Sequence, residues 1–258
     1  MINITSILNN LYFAPRMRAI ERYATEAEAL QMQVMRRLVE MAKETEWGKL
    51  HQFTLIKSYD DFSQLMPVQT YEEVKGYVER MRRGEQNLLW PSKIQWFAKS
   101  SGTTNDKSKF LPVSRESLKD THYQGGRDAV AVYLAQNPES RFFSGKGLIL
   151  GGSHAPNLNT PHSLVGDLSA ILIENLPTLV NYIRVPSKQT ALMEHFEPKM
   201  EQIAREAIGA NVSNLSGVPS WMLVLIKHIL EKTGKQSLEE VWPNLEVFFH
   251  GGVAFTPY

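Results

Sequence analysis

Residues 96–114 have the sequence WFAKSSGTTNDKSKFLPVS, and the interpretation of the whole chain depends on this stretch. Apolar residues alternate up to Ala98 and return at Phe110-Leu111, a pattern that predicts two strands joined by a polar loop. Hydroxyl side chains and one glycine fill the start of that loop: Ser100, Ser101, Gly102, Thr103 and Thr104. Amides and hydroxyls in such a loop can bind an anion, most often phosphate, and Lys107 and Lys109 can supply positive charge.

The hydroxyl cluster alone does not decide between a phosphate site and an ordinary surface turn. Serine, threonine and glycine collect in turns because their side chains satisfy nearby backbone groups. The stretch matches neither the GxxxxGK[ST] pattern nor the GxGxxG pattern of known phosphate loops. Both interpretations therefore stay open at this point.

Composition excludes several classes of protein. The chain has 258 residues, of which 43% are hydrophobic, and its net charge is +1, so it is expected to be globular and gives no electrostatic case for nucleic acid. It contains no cysteine, which excludes disulfides and a cysteine nucleophile and fits a reducing compartment such as the cytoplasm. Its start does not resemble a signal peptide, and no apolar run approaches the roughly 20 residues of a membrane helix.

Helical and strand patterns alternate along the chain, which predicts an α/β fold with parallel or mixed sheets flanked by helices. A long helix is expected over residues 17–45, ended by Trp47-Gly48. A second helix is expected from the Thr70–Glu73 capping box to Arg83, and a third from Ser114 to Gln136. Further helices are expected over 168–174, 179–183, 191–208 and 220–233. Strands are expected over 93–98, 110–111, 147–150, 210–215 and 245–249, with a polar loop over 153–167. His154 and His162 in that loop lack further ligands at metal spacing, so no protein metal site is predicted.

Two glycines, Gly125 and Gly126, interrupt the helix that follows the hydroxyl-rich loop. Each costs about 1 kcal/mol relative to alanine inside a helix. They are explained either by close helix packing or by close approach of a ligand. In the second case Arg127 could hold a carboxylate by a forked pair of hydrogen bonds.

Small or hydroxylated residues follow four of the predicted strands: SSGTT, GGSH, SGVPS and HGG. Ligands of open α/β sheets bind beyond the carboxyl ends of the strands, so these endings predict a shared pocket. GxSxG is absent and no Ser-His-Asp arrangement stands out, which disfavours a hydrolase. A phosphate-binding loop, a glycine-rich crevice and an acid-binding arginine together suit the activation of a carboxylic acid by ATP.

The stretch SSGTTNDKSKFLPVS resembles the nucleotide-phosphate signature of the plant auxin-responsive acyl acid–amido synthetases and their bacterial homologues, within the acyl-adenylate-forming superfamily. Three other stretches are similar to that family: TEWGKLH (45–51), NVSNLSGVPSWMLVL (211–225) and WPNLEVFFHGGVAFTPY (242–258). The resemblance implies that residues 1–258 are part of the large N-terminal adenylation domain. The C-terminal domain and the family's later motifs would follow Tyr258.

The same resemblance implies ATP and magnesium (Mg2+) binding, adenylation of an acyl acid and transfer to the amine of an amino acid. By it, Ser100, Ser101, Gly102, Thr103 and Thr104 would hold the phosphates, and Lys109 would be the basic catalytic residue closing the motif. Thr121, Tyr123 and Arg127 would flank the acyl and nucleotide sites. The acyl pocket would include Ser216 and Val218, and the adenine would contact Gly251, Gly252 and Val253.

Two alternatives stay open from the sequence. One is acyl-CoA ligation, which shares the first half-reaction but uses a thiol acceptor. The other is a non-catalytic interaction domain whose Gly/Ser loops are only turns. We also expect that these residues alone are inactive, and that an exposed sheet edge would allow a dimer to form. The acyl acid and the acceptor are not identified by the sequence.

Overall fold

The computed structural model describes residues 3–100 and 109–251, which form two compact units. The parallel-sheet unit comprises Met1–Met17, Gly126–His154 and Asp167–Tyr258. The mixed-sheet unit comprises Arg18–Gly125 and Ala155–Gly166. The mixed α/β class expected from the sequence is confirmed.

The described strands, in chain order, are β1 (Trp96–Ser100), β2 (Lys109–Val113), β3 (Lys146–Ile149), β4 (Leu164–Gly166), β5 (Arg184–Val185), β6 (Val212–Gly217) and β7 (Val247–His250). The described α-helices are α1 (Ile4–Leu8), α2 (Ala14–Glu21), α3 (Tyr23–Ala42), α4 (Glu46–Leu50), α5 (Tyr59–Leu65), α6 (Tyr71–Arg82), α7 (Arg115–Ser117), α8 (Gln124–Gln136), α9 (Leu168–Glu174), α10 (Lys188–Ala191), α11 (Phe196–Ile208), α12 (Pro219–Thr233) and α13 (Leu238–Val241). π-Helical segments cover Asn9–Phe13 and Leu118–Tyr123, and 3-10 turns cover Phe53–Leu55, Phe142–Ser144, Pro156–Leu158 and Thr178–Tyr182.

The parallel-sheet unit contains four parallel strands in the order β5-β3-β6-β7. The sheet packs on helices α11 and α12 because both helices carry an apolar stripe at helical spacing. The indole of Trp242 is buried beneath them, and its Nε1 donates to the carbonyl of Ala207 at 2.9 Å. The remaining core residues are Leu148, Val185, Met200, Ile203, Ala204, Val212, Leu215, Met222, Leu225 and Ile229. Strand β7 forms one edge of this sheet, and dimerisation through such an edge stays a prediction.

The mixed-sheet unit contains a sheet of order β2-β1-β4. Strands β1 and β2 pair antiparallel, from Trp96 opposite Val113 to Ser100 opposite Lys109. Strand β4 joins β1 in parallel. Phe97 of β1 is completely buried in a cluster with residues of α6 and β4. The two expected strands are therefore confirmed, and the loop expected between them lies outside the described residues.

Helices that have a local capping signal begin where the sequence predicts. The capping box of Thr70 and Glu73 begins α6, and Ser114 accepts a hydrogen bond from the Ser117 amide at 2.9 Å. Pro219 begins α12 in its first turn, as expected. These signals act over one turn of backbone, so distant contacts do not override them.

The amino-terminal helix differs from the expectation. Helix α2 ends at Glu21, α3 ends at Ala42, and Trp47 and Gly48 lie inside the separate helix α4, so the predicted stop at Trp47-Gly48 was wrong. Gly48 is required for another reason, since a Cβ there would lie 2.1 Å from the carbonyl oxygen of Ala42. The segment predicted as a loop over 153–167 also contains β4.

Candidate functional site

Three of the four small-residue strand endings lie at one edge of the parallel sheet. The register aligns Ile149 of β3 with Ser216 of β6, and Gly217 of β6 with His250 of β7. Because the strands are parallel, the segments GGSH, SGVPS and HGG all leave the sheet at its carboxyl edge. We call this part of the parallel-sheet unit the carboxyl-edge site. It includes the predicted binding residues Ser216, Val218 and Gly251.

Strands β3 and β6 approach closely at the carboxyl-edge site. The Leu150 amide donates to the Ser216 carbonyl at 2.8 Å. Gly217 has a φ of +156°, and a Cβ on it would lie 3.0 Å from the Leu150 carbonyl oxygen. Val218 follows as the residue preceding α12, and its side chain is 43% exposed. Backbone contacts with β3 therefore fix Ser216 and Gly217, while the neighbouring Val218 presents an apolar surface.

Backbone hydrogen bonds also fix the loop after β3, residues 151–153. The Gly152 amide donates to Ser169 Oγ at 2.8 Å, and the Ser153 amide donates to Asp167 Oδ2 at 2.9 Å. A Cβ on Gly152 would lie 2.1 Å from that same carboxylate oxygen. Gly152 is therefore needed for close packing against Asp167.

Lys199 of α11 completes the support of this loop, and sequence reasoning missed it. Its side chain is only 4% exposed, and Nζ donates to the carbonyls of Gly151 at 2.9 Å and Gly152 at 2.7 Å. Burial lowers the pKa of Lys199, and the charge of Asp167 acts in the opposite direction. The helical spacing could have indicated that Lys199 is buried, because it lies four residues before the buried Ile203, on the apolar stripe of α11.

In the mixed-sheet unit, the antiparallel pair β1–β2 holds both ends of the predicted phosphate loop. Ser100 is the register partner of Lys109. The Lys109 ammonium lies 5.4 Å from the ring centroid of Tyr71, whose hydroxyl accepts a hydrogen bond from the Phe110 amide at 3.0 Å. Ser101, Gly102, Thr103 and Thr104 lie outside the described residues, as do Gly252 and Val253.

Thr121 and Tyr123 lie in the π-helical segment Leu118–Tyr123 of the mixed-sheet unit. Burial raises the pKa of the Tyr123 phenol. Their predicted contact with substrate stays a prediction.

Arg127 belongs to the parallel-sheet unit and contacts the amino-terminal segment. Its guanidinium carbon lies 3.7 Å from the ring centroid of Tyr12, and Nη2 donates to the Tyr12 carbonyl at 2.7 Å. Its Nε is buried and has no hydrogen-bond partner among residues 3–100 and 109–251. The forked grip on a carboxylate stays a prediction.

The double glycine in α8 is not explained by close packing. A Cβ added to Gly125 or to Gly126 would meet no described atom within 4 Å, apart from the helix's own backbone and the adjoining residues. The close-packing interpretation is therefore wrong for the part of the chain that the structure covers. Ligand approach remains as the hypothesis for these two residues.

Within residues 3–100 and 109–251, no group of three His, Asp or Glu side chains is arranged to hold a metal ion. No helix among them is both long enough and apolar enough to cross a bilayer.

The described residues define an α/β protein with a carboxyl-edge site on a parallel sheet, and a hydroxyl-rich sequence follows a strand of the other sheet. Comparison with known proteins names the family: the GH3 family N-terminal domain matches residues 16–258, so the chain belongs to the GH3 family.

The relatives are amido synthetases. The chain is 28% identical over 104 residues to the indole-3-acetic acid-amido synthetase GH3.5 of Arabidopsis thaliana, covering 40% of this chain and 17% of that protein. It is 26% identical over 102 residues to the jasmonoyl–L-amino acid synthetase JAR6 of Nicotiana attenuata, covering 39% and 18%. The solved structure of the GH3.15 acyl acid amido synthetase superposes with a TM-score of 0.72 at 16% identity. That match covers 91% of this chain and 50% of the solved chain, and it supports the shared fold.

Proposed function

We propose that this chain is part of an ATP-dependent ligase that adenylates a carboxylic acid and passes the acyl group to the amine of an amino acid. The observation that carries the proposal is the family match over residues 16–258. The relatives named above are amido synthetases that act on acyl acids. The chain spans about half of the solved relative, so the activity is proposed for the protein to which these residues belong.

The β1–β2 pair supports the phosphate-binding part of the proposal. Pairing of Ser100 with Lys109 fixes the two ends of the hydroxyl-rich loop next to each other. Ends that are already held together reduce the entropy lost when a ligand orders the residues between them. We propose that Ser100, Ser101, Gly102, Thr103 and Thr104 bind the phosphates of ATP and that Lys109 compensates their charge. Magnesium would share that role when bound.

The carboxyl-edge site supports the acyl part. It combines the exposed side chain of Val218 with a fixed backbone at Ser216 and Gly217. An apolar surface beside fixed polar groups suits an acid with a hydrophobic body. Gly251, with Gly252 and Val253, is proposed to contact the adenine, and Thr121, Tyr123 and Arg127 the acid and nucleotide.

The proposed reaction has two steps, adenylation of the acid and transfer of the acyl group to the amine. A carboxylate oxygen attacks the α-phosphorus of ATP, and pyrophosphate leaves. The amine nitrogen then attacks the acyl carbonyl, loses a proton, and AMP leaves. The residues of this chain would contribute binding, alignment and charge compensation.

Mass spectrometry of products tests the proposal. The protein is incubated with MgATP, indole-3-acetic acid or jasmonic acid, and either an amino acid mixture or coenzyme A. We expect an amide of the acid together with one AMP for each amide formed. A thioester instead of an amide would identify a CoA ligase. No AMP from the protein to which these residues belong, with any acid in a broad panel, would favour the interaction-domain alternative.

A matched reaction with residues 1–258 alone tests the expectation that this part is inactive. Exchange of labelled pyrophosphate into ATP above the blank would contradict that expectation. We also propose a cytoplasmic location, which microscopy of a tagged protein would check.

A further inference from the structure

Lys199 is an unusual residue for the place it occupies. Its side chain is 4% exposed, and its described hydrogen-bond partners are oxygen atoms of neutral groups: the carbonyls of Gly151 and Gly152 and, at 3.5 Å, the hydroxyl of Ser153. Burying an ammonium group is costly even when its hydrogen bonds are satisfied.

The location of Lys199 adds to that cost. It lies near the amino end of the 13-residue helix α11, where the helix dipole disfavours a positive charge. Its neighbours on the buried face, Met200 and Ile203, belong to the apolar core. A methionine would fit the apolar surroundings better, so packing alone does not account for a lysine here.

The hydrogen bonds of Lys199 all converge on one short loop. Both glycine carbonyls point to Nζ, while the amides of Gly152 and Ser153 are held by Ser169 and Asp167. Every one of these partners lies in the parallel-sheet unit. The loop is thereby clamped from both faces of its backbone where β3 leaves the sheet.

We propose that Lys199 is a positioning residue of the carboxyl-edge site: its ammonium fixes residues 151–153 as one wall of the site, and this wall sets the affinity for the acyl acid. The inference rests on the proposed function for the identity of the ligand. It adds a residue whose role no predicted motif included. Lys199 itself is not expected to touch the substrate, because its donors are occupied by the loop.

Lys199→Met and a matched control, Lys188→Met, test the proposal. Lys188 also donates to a backbone carbonyl, that of Glu174 at 2.9 Å, but not to the 151–153 loop. Lys199→Gln is a milder second variant, because it removes the ammonium but keeps a neutral amide that can still donate a hydrogen bond. Urea denaturation first establishes that each variant is folded, and Lys199→Gln replaces Lys199→Met if the latter is not.

Hydrogen exchange of peptides covering residues 150–155 is the readout that does not depend on activity. We expect faster exchange in Lys199→Met, or in Lys199→Gln, and wild-type exchange in Lys188→Met. Isothermal titration with indole-3-acetic acid in the presence of MgATP is the second readout. Because Lys199 acts through the loop without touching the acid, its loss should weaken acid binding roughly twofold to thirtyfold. In turnover assays of the protein to which these residues belong, the KM for the acid should rise more than kcat falls.

The outcomes separate the two proposals. Unchanged exchange at residues 150–155 overturns the positioning role, whatever the binding data show. Faster exchange with wild-type acid affinity overturns the claim that the loop is a wall of the site. If the wild-type protein binds neither this acid nor any other in the panel, the proposed function fails, and the exchange data still decide whether Lys199 holds the loop.

Discussion

Replacing Gly126 by alanine should stabilise the protein, although Gly126 is one of the two glycines proposed to admit a ligand. Gly126 lies within α8 and its φ is not positive, so alanine fits the backbone without strain. An added Cβ would meet no described atom within 4 Å beyond the helix's own backbone and the adjoining residues. The free energy of unfolding should therefore rise by about 1 kcal/mol, the usual difference between glycine and alanine inside a helix.

The same reasoning applies to Gly125, because a Cβ added there would also meet no described atom within 4 Å beyond the helix's own backbone and the adjoining residues. If the two effects add, the double variant should gain about 2 kcal/mol. For a chain of this size, 1 kcal/mol corresponds to a rise in Tm of roughly 2–4 °C. Gly84→Ala is the matched control with the opposite sign. Gly84 has a φ of +105°, and its Cβ would lie 2.9 Å from the His162 ring, so this variant should lose stability.

Urea denaturation followed by circular dichroism measures these changes, and acid titration measures their functional consequence. If the glycines admit a ligand, Gly126→Ala should weaken acid binding although it raises stability. A fall in the unfolding free energy of Gly126→Ala would refute the structural reasoning. Higher stability with wild-type acid affinity would refute the ligand-approach hypothesis alone.

Three further predictions concern stability. Thr45→Ala should cost about 1–2 kcal/mol in urea denaturation, because the buried Thr45 hydroxyl caps α4 and accepts from the Gly48 amide at 2.9 Å; a loss below the error of the measurement would contradict this. Leu225→Ala should cost about 2–5 kcal/mol in the same assay, since Leu225 is completely buried in the core of the parallel-sheet unit, and a loss under 1 kcal/mol would argue against that packing. Glu201→Gln should lower Tm at pH 7. Hydrogen bonds, the strongest from Lys232, lower the pKa of Glu201 from 4.5 to about 2. The Glu201 carboxylate therefore stabilises the fold above pH 4.5, and this stabilisation is lost as the pH falls towards 2. A Tm difference that does not shrink in that acidic range would show that the carboxylate charge is not responsible.

Local signals in the sequence were reliable where one turn of backbone decides the structure. The Thr70–Glu73 capping box, Ser114 and Pro219 each begin a helix as predicted. The strand endings could also be brought together from sequence, because parallel strands place their carboxyl ends at one edge of a sheet. Three of the four endings follow strands of one parallel sheet, whereas SSGTT begins at the end of β1 in the other unit.

Features that depend on distant contacts were not predictable in this way. Strand β5 has two residues and β4 has three, and both exist because they pair with β3 and β1. The requirement for Gly48 comes from the approach of Ala42, which no local pattern encodes. Lys199 was missed because its residue type indicates a surface position while its spacing indicates the core. A lysine at a position whose spacing indicates the core must have hydrogen-bond partners there, and Lys199 has them in the Gly151 and Gly152 carbonyls.

The most direct test of the central claim is the affinity for MgATP of two alanine variants on the β1–β2 pair. Lys109→Ala removes the ammonium that closes the hydroxyl-rich loop, whereas Lys99→Ala removes an exposed ammonium from the same pair of strands. Isothermal titration should give about tenfold to a hundredfold weaker binding for Lys109→Ala and wild-type binding for Lys99→Ala. Wild-type MgATP affinity in Lys109→Ala, or an equal loss in both variants, would contradict the account.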